Sequence, residues 1–280
     1  MKNLVVNLHL LEKCNYRCVH CFSHFDSSKT LSFSCWTKIV DNIMGSAFVN
    51  RINLAGGEPL LMPRILELAD HIHQKGAEVS IITNGSLLKE DLLQQGAVSM
   101  IGISIDSFNE KTLLKMGRRF ANGAVLSEKQ YRQLCGIIKQ NGIDLKINTV
   151  VTKLNLDDDF SQVKEIDPKR WKILRMQEFK SGNFDNSPFT VSDEEFAVFC
   201  RKQTELGIPF ISENTMRSAY IFVDPAGNLL DNTGGIYTSV GNLLDDDFSK
   251  CLRRLPLNRK LYEHRYGGNY MTNFEGEKND

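Results

Sequence analysis

The sequence predicts an α/β protein: a partial (βα)6 barrel with a C-terminal extension that closes its open side. Apolar segments of strand length alternate with helical patterns through the first 178 residues, which is typical of βα units around a parallel sheet. The pattern then changes to a polar loop, a helix and a hairpin. We therefore expect two parts, residues 1–178 and 179–280, with a disordered tail from about residue 275.

Six strands are expected, and five helices supply the crossovers that parallel strands require. The expected strands are Leu4–Leu11, Arg51–Ala55, Glu78–Thr83, Met100–Ile105, Leu145–Val151 and Trp171–Met176. The expected helices are Trp36–Ile43, Ile65–His73, Leu88–Gln94, Lys129–Gln140 and Phe160–Ile166. In the extension, Asp193 and Glu194 lie in the first turn of a helix, and Asp224–Gly227 turns a hairpin.

The expected strands are apolar on one face and polar on the other. In the first strand, leucine and valine alternate with Asn7 and His9. Later strands place these residues on the polar face: Arg51, Asn53, Ser104, Asp106, Lys146, Asn148, Arg170 and Lys172. Crossover helices cover the apolar faces, so the polar faces must meet on the other side of the sheet. A packed barrel interior would be aliphatic, so we expect a wet, ligand-filled cavity there.

The composition excludes several classes of protein. Lys+Arg and Asp+Glu both number 34, which argues against a protein that coats nucleic acid through bulk charge. No apolar stretch is long enough to span a bilayer, and the N-terminal residues lack the pattern of an apolar signal region that ends in a small-residue cleavage site. We expect a cytoplasmic monomer that binds neither membranes nor nucleic acid. A chain of 280 residues also needs no disulfide or structural metal to fold, so any metal would serve function.

Three of the seven cysteines are grouped just after the first expected strand, with the spacing CxxxCxxC. They are Cys14, Cys18 and Cys21. Three thiolates on one short loop can bind three irons of a cubane cluster and leave the fourth open to a substrate or cofactor. The alternative is a zinc site completed by His9, His20 or His24. Zinc spacings are usually paired CxxC units, so this spacing favours iron and sulfur.

This motif, after the first strand of a βα barrel, resembles the radical S-adenosylmethionine superfamily. The Gly56-Gly57-Glu58-Pro59 segment and Asn84 after the third strand extend the resemblance, although each alone is as typical of a tight turn. The resemblance implies a [4Fe-4S] cluster on the three cysteines. It also implies that these residues bind S-adenosylmethionine: His20, Gly56, Gly57, Glu58, Asn84, Ser104, Asp106 and Arg118. His20 stands where many members have an aromatic residue that stacks on adenine.

From Asn7 to about Tyr270, the chain resembles more narrowly the viperin family. The matching stretches include His9 to Cys21, Ile52 to Pro59 and Ser218 to Asp224. Viperins convert a nucleoside triphosphate to its 3′-deoxy-3′,4′-didehydro form, a chain terminator in antiviral defence. CTP is favoured by family frequency, with GTP or UTP as alternatives, and the electron donor is a protein such as flavodoxin or ferredoxin. Because the first strand begins close to Met1, we expect no membrane-binding helix before it.

The polar strand faces fit a triphosphate. Arg51, Lys146, Arg170 and Lys172 face inward, and Arg118 follows the fourth strand. Five cations around one cavity would repel one another without a polyanion, unless some reach solvent or pair with Asp106. The expected substrate contacts are Asn7, His9, Arg51, Lys146, Asn148, Arg170 and Lys172.

Tyr220 is the expected catalytic residue, because the viperin resemblance places it beside the substrate ribose. An ordinary aromatic residue on a half-buried strand is the alternative.

Two other classes of protein stay open. A radical enzyme that acts on a peptide or small metabolite would share the cysteine motif but would not need five inward cations. A metal-binding module without activity would not need the segment from Gly56 to Pro59. Four further cysteines lack ligand spacing, which argues against the second cluster of peptide-modifying radical enzymes. They are Cys35, Cys135, Cys200 and Cys251.

Overall fold

The first part of the chain contains six strands and the helices between them. The computed structural model describes residues 4–25, 30–46, 49–94, 96–181 and 184–266. The strands are β1 (Leu4–His9), β2 (Val49–Ala55), β3 (Glu78–Thr83), β4 (Val98–Ser104), β5 (Asp144–Val151) and β6 (Arg170–Arg175). The helices are α1 (Phe33–Met44), α2 (Ile65–Gln74), α3 (Glu110–Lys115), α4 (Glu128–Gln140) and α5 (Gln162–Ile166).

The later part of the chain adds further strands and helices. Its strands are β7 (Lys180–Ser181), β8 (Phe184–Asp185), β9 (Phe210–Glu213), β10 (Ile221–Val223), β11 (Asn228–Asp231) and β12 (Thr238–Asn242). Its helices are α6 (Asp193–Thr204), α7 (Phe248–Arg254) and α8 (Arg259–Tyr266). The predicted helix at Asp193 and the turn at Asp224–Gly227 are confirmed, since Gly227 N–H donates to the Asp224 carbonyl.

One ten-stranded sheet organises the molecule, in the order β12-β11-β10-β1-β2-β3-β4-β5-β6-β9. The strands β1 to β6 are parallel to one another, and β9 and β10 join the two ends of that set, also in parallel. The strands β11 and β12 complete one edge as antiparallel neighbours. The sheet does not close, so the predicted partial barrel is confirmed. The extension contributes strands to both of its edges, and the predicted boundary at residue 178 stays a prediction.

The main core lies between the convex face of the sheet and the helices. Trp36, Ile39 and Ile43 of α1 are fully buried, as are alternate residues of β1 such as Val6 and Leu8. Helix starts are specified locally: the Ser127 and Ser192 side chains accept hydrogen bonds from backbone N–H groups of the first turns of α4 and α6. Within the described residues, no helix combines the length and apolar character needed to cross a bilayer.

Some predicted elements were wrong. Leu88–Gln94 forms only a single turn of 3₁₀-helix, Glu90–Leu93. Its backbone hydrogen bond spans three residues, as in a tight turn, because Leu92 N–H donates to the Lys89 carbonyl at 3.1 Å. The sequence patterns also missed β9 and β12, whose four and five residues are too short for a clear alternation. The predicted tail from residue 275 lies outside the described residues.

Candidate active site

A cavity opens on the concave side of the sheet, at the carboxyl ends of its central strands. Parallel strands present the residues that follow them at one edge, which is where α/β barrels build their sites. The segment after β1, residues 10–23, forms one wall and is called the cysteine loop. The cavity is lined by residues that include Asn7, His9, Cys14, Cys18, His20, Cys21, Gly56, Gly57, Asn84, Ser104, Asp106, Arg118, Lys146, Asn148 and Tyr220.

Neighbouring backbone groups fix the cysteine loop. Arg17 and Val19 donate their N–H groups to the carbonyls of Gly117 and Met116, at 3.2 and 3.0 Å. On the opposite side, Gly57 N–H donates to the Leu11 carbonyl at 2.6 Å. A Cβ atom on Gly57 would lie 2.3 Å from the Lys13 carbonyl oxygen, so the glycine is needed for this close approach.

The three cysteine side chains are free thiols, each partly buried. Burial raises the pKa of Cys18 to about 12 and that of Cys21 to about 11, and it also raises the pKa of Cys14. Bare thiolates are therefore disfavoured at neutral pH, and a bound metal centre would have to stabilise them. Within the described residues, no three His, Cys, Asp or Glu side chains converge on a single metal ion. A cubane does not need such convergence, because each thiolate binds its own iron.

Gly117→Ala should detach the cysteine loop. Gly117 has a φ of 71°, and a Cβ atom there would lie 2.0 Å from the Arg17 carbonyl oxygen. Gly142 has the same φ of 71° with nothing within 4 Å, so Gly142→Ala is a matched control. Both variants incur the left-handed backbone cost of about 1–2 kcal/mol. Only Gly117→Ala should lose a further 1–3 kcal/mol or so of unfolding free energy, and most of its iron after anaerobic reconstitution. Equal iron in both variants would show that this contact does not shape the loop.

Glu58 is fully buried beside the loop. Its carboxylate accepts hydrogen bonds from Thr83 Oγ1 at 2.7 Å, from Asn84 N–H at 2.9 Å and from Leu60 N–H at 3.2 Å. Burial nevertheless raises its pKa. The Asn84 side chain in turn donates to Asn15 Oδ1 at 2.9 Å. Glu58 and Asn84 thus join the ends of β2 and β3 to the cysteine loop.

A second buried group lies between the loop and the end of β4. Asp106 Oδ2 lies 3.1 Å from His20 Nε2 and 2.9 Å from Arg118 Nη1, and Arg118 Nη2 donates to the Ser104 carbonyl at 2.6 Å. Although burial opposes ionisation, Arg118 and then His20 lower the pKa of Asp106 to about 2. His20 is therefore held edge-on by Asp106, and its stacking on adenine stays a prediction.

These residues fit an iron–sulfur cluster with S-adenosylmethionine. Three thiols face the cavity, and two buried nitrogens beside them, His20 Nδ1 and Arg118 Nε, have no hydrogen-bond partner within the described part of the chain. Unpaired buried donors and acceptors are costly, so they indicate a polar ligand at this position. The carboxylate and amino groups of S-adenosylmethionine have the required hydrogen-bonding character.

The floor of the cavity is polar where β1, β2 and β3 meet. Asn53 donates to Asn7 Oδ1 at 2.8 Å, Ser80 donates to Asn53 Oδ1, and Asn7 donates to the Ile221 carbonyl at 3.2 Å. His9 contacts the rings of Phe25 and Phe222 at centroid distances of 4.8 and 5.2 Å. Burial lowers the pKa of His9 to about 3, so its imidazole is neutral at physiological pH.

Lys146 is the predicted substrate cation that the structure places most clearly in the cavity. It lines the wall together with Asn148. In the residues described, the Lys146 ammonium group has no hydrogen bond or ion pair. Burial, followed by the charges of Lys172, Arg170 and Arg51, lowers its pKa well below the usual range. An anion bound in the cavity would raise the pKa of Lys146 again.

The expectation of five unneutralised cations was wrong. Arg51 pairs with Glu78 on the neighbouring strand, and Arg118 pairs with Asp106. Lys172 is 1% exposed and pairs with Glu213. A buried charge needs a partner, so three of the five cations already have a carboxylate. Arg51, Arg170 and Lys172 do not line the cavity described above.

Glu213 is the site residue that the sequence patterns missed. It ends β9, is 3% exposed, and accepts a hydrogen bond from the Tyr220 hydroxyl at 2.5 Å. Arg265 Nε of α8 lies 3.4 Å from the same Glu213 oxygen. Lys172 and Arg265 lower the pKa of Glu213 despite its burial. The only signal was indirect: the inward Lys172 on the neighbouring strand requires a buried carboxylate.

This buried group spans the open side of the barrel. Lys172 lies on β6, Glu213 ends β9, Tyr220 precedes β10 and Arg265 lies on α8. The Tyr220 ring also stacks on Phe222, with centroids 5.0 Å apart. These side chains therefore connect β6 and β9, at one end of the sheet, to the segment that leads into β10 near the other end. The same contacts hold Tyr220, the predicted catalytic residue, at the cavity wall.

Comparison with known proteins agrees with this geometry. The model of the Radical SAM superfamily matches residues 8–165, which is more than half of the chain. The chain belongs to this superfamily. Membership confirms the predicted resemblance and the assignment as an enzyme, and it implies S-adenosylmethionine and an iron–sulfur cluster as cofactors.

Curated relatives cover nearly the whole chain. An S-adenosylmethionine-dependent nucleotide dehydratase of Selenomonas ruminantium is 38% identical over 94% of this chain and 98% of its own length. A protein of the same name from Flammeovirga pacifica is 33% identical, with 94% of each chain covered. The nucleotide dehydratase RSAD2 of Oncorhynchus mykiss is 26% identical over 95% of this chain and 80% of its own.

Solved structures of radical SAM proteins share the fold. Streptococcus suis SuiB bound to S-adenosylmethionine aligns with a TM-score of 0.68 at 15% identity, covering 95% of this chain and 68% of that one. The protein anSMEcpe, with bound AdoMet and a peptide, aligns with a TM-score of 0.67 at 16% identity, covering 94% and 82%. The roles of individual residues in this radical SAM site stay predictions.

Proposed function

We propose that this radical SAM protein is a nucleotide dehydratase. It converts a nucleoside triphosphate, CTP by preference and GTP or UTP as alternatives, to the 3′-deoxy-3′,4′-didehydro analogue. The observation that carries the proposal is Lys146: a half-buried cation without a carboxylate partner in the described residues, in the same cavity as the three thiols. The nearly full-length relatives named as nucleotide dehydratases support it.

The proposal assigns residues to three groups. Cys14, Cys18 and Cys21 hold a [4Fe-4S] cluster, and the residues around the cysteine loop that the sequence singled out hold S-adenosylmethionine. Lys146, Asn148, Asn7 and His9 contact the nucleotide directly, since all four line the cavity. Arg51, Arg170 and Lys172 act on the triphosphate through their charge, from outside the lining of the cavity.

The bound cluster and S-adenosylmethionine would supply hydrogen-atom abstraction, here from C4′ of the ribose. The 3′-hydroxyl group would then leave as water, with one proton and one further electron delivered to complete the 3′,4′ double bond. The protein's own residues orient and protect that reaction. Lys146 attracts the triphosphate and so fixes the ribose relative to the cysteine loop. Phe22, Met216 and Phe222 line the same cavity and exclude water from it. Tyr220, held through Glu213, is the proposed catalytic residue beside the ribose.

The product explains a biological role. A nucleotide without a 3′-hydroxyl group terminates polymerase chains, so the protein would act in the cytoplasm as an antiviral, anti-phage enzyme. An acidic carrier such as flavodoxin or ferredoxin supplies electrons, and the enzyme acts as a monomer without nucleic acid or membrane partners.

Anaerobic incubation with reductant, S-adenosylmethionine and each common NTP tests the proposal. We expect one NTP to stimulate 5′-deoxyadenosine formation above the others and to yield a nucleotide lighter by one water, measured by mass spectrometry. Deuterium placed at C4′ should move into 5′-deoxyadenosine. If no nucleotide stimulates the reaction, or if deuterium leaves from another carbon, the dehydratase proposal fails while membership of the superfamily stands.

A further inference from the structure

A basic surface lies on the outside of the cysteine loop. Its cations are Arg17, Lys111, Lys115 and Arg119. All four side chains are exposed, and Leu114 of α3 is 40% exposed. On α3, Lys111, Leu114 and Lys115 share one helix face because they are three and four residues apart. We call these five residues the basic surface.

The two segments that form this surface are in direct contact. Backbone hydrogen bonds join Arg17 to Gly117 and Val19 to Met116, directly after α3. Tyr16 also packs edge-on against Phe120, with centroids 5.5 Å apart. The α3 segment is therefore fixed against the loop that carries the three cysteines, and the residues of the basic surface do not line the nucleotide cavity.

The basic surface lacks neutralising groups among the described residues. None of its four cations lies within 4.0 Å of a carboxylate there. The Arg17 guanidinium instead donates to the carbonyls of Cys14 and Tyr16, at 2.6 and 2.8 Å, and stays exposed. The acids of these two segments are Glu110, exposed at the start of α3, and Glu12, which lies 3.8 Å from His24. The chain as a whole has no net charge, so this positive field is local.

We infer that the basic surface docks an acidic one-electron carrier protein. This inference rests on the proposed function, because the radical reaction needs an electron at the cysteine loop. The carrier loses one electron and the cluster gains it, and no bond forms or breaks. Complementary charge speeds such encounters, and a small patch with one exposed apolar side chain suits the brief, weak complexes of redox partners. The cavity side of the loop is needed for cofactor and nucleotide, which leaves the outer side for the carrier.

The test compares two charge-reversed variants of the full-length, iron-loaded protein. Lys111→Glu/Lys115→Glu changes the basic surface without touching the cysteine loop. Arg201→Glu/Lys202→Glu makes the same charge change on α6, where both side chains are exposed. The probe is flavodoxin in its hydroquinone form, and the readout is the rate at which it bleaches the oxidised cluster in a stopped-flow spectrometer. Binding of flavodoxin to the metal-free protein, by surface plasmon resonance, is a second readout.

The variant on α3 should be reduced by flavodoxin roughly 10- to 100-fold more slowly at low salt, whereas the variant on α6 stays close to wild type. Raised salt should slow the reduction of the wild type by flavodoxin, because it screens exposed charges. The difference in rate between the wild type and the α3 variant should therefore become smaller. Dithionite, a small reductant, should reduce all three proteins equally. Lys111→Gln/Lys115→Gln should give an intermediate rate, which separates lost charge from misfolding.

Equal rates of reduction by flavodoxin for the two charge-reversed variants would overturn the assignment. The same holds if the α3 variant is slowed as much with dithionite as with flavodoxin. A wild-type dimer in sedimentation velocity that Lys115→Glu dissociates would also overturn it, because the surface would then bind a second copy of the chain. If flavodoxin reduces the wild type in the expected way but no nucleotide is converted with dithionite, the docking surface stands and the proposed function fails.

Discussion

Replacing any one of Cys14, Cys18 and Cys21 with alanine should abolish 5′-deoxyadenosine formation. Three thiolates are the minimum that holds a cubane while leaving one iron open to S-adenosylmethionine. The side chains lie on one loop, and burial opposes the charge of each. Losing one therefore leaves one iron of the cubane without its thiolate. Iron content and 5′-deoxyadenosine, measured after anaerobic reconstitution, check the result.

Cys135→Ala and Cys200→Ala are the controls for this experiment. Both cysteines are buried in the main core, away from the loop, and both are free thiols. These variants should keep iron and activity and should lose only a little stability through the missing sulfur contacts. A protein with all three loop cysteines replaced that kept full iron and activity would contradict the site.

The fold was predictable because apolar and polar residues alternate regularly along its strands. In β1, aliphatic residues alternate with Asn7 and His9, and the structure places the two sets on opposite faces. The cysteine motif was predictable for a different reason, since its ligands are close in the sequence. Local spacing therefore predicts the thiols of the candidate site, and strand periodicity predicts Lys146 and Asn148 on its wall.

The charge balance of the site was not predictable in the same way. Glu213 neutralises Lys172 across 41 residues of sequence, and Arg265 approaches from the last described helix. No local pattern joins residues so distant, and β9 is only four residues long. Strand periodicity shows which way a cation points but not which carboxylate it meets. The triphosphate hypothesis therefore depends on Lys146 more than on the number of inward cations.

Lys146→Met should weaken triphosphate binding by about 10- to 100-fold, because it removes a charge-assisted contact inside a cavity. The pH dependence of triphosphate affinity shows whether the charge of Lys146 is responsible for binding. Burial and the nearby cations lower the pKa of free Lys146, whereas a bound triphosphate raises it. Binding then takes up a proton, so affinity falls as pH rises between the two pKa values, by at most about tenfold per pH unit. Calorimetry above about pH 7, where the phosphates are already ionised, measures this slope.

Lys146→Arg is the matched control, because a guanidinium stays charged at every pH of the experiment. It should bind triphosphate without the proton uptake, so its affinity should change little with pH. Lys146→Met should also lose the slope, but at much weaker affinity. S-adenosylmethionine binding should be similar in all three proteins, since Lys146 contacts none of the cysteine-loop residues by a hydrogen bond or ion pair. If wild type and Lys146→Met bind triphosphate equally well, the nucleotide does not meet this lysine and the phosphate site lies elsewhere.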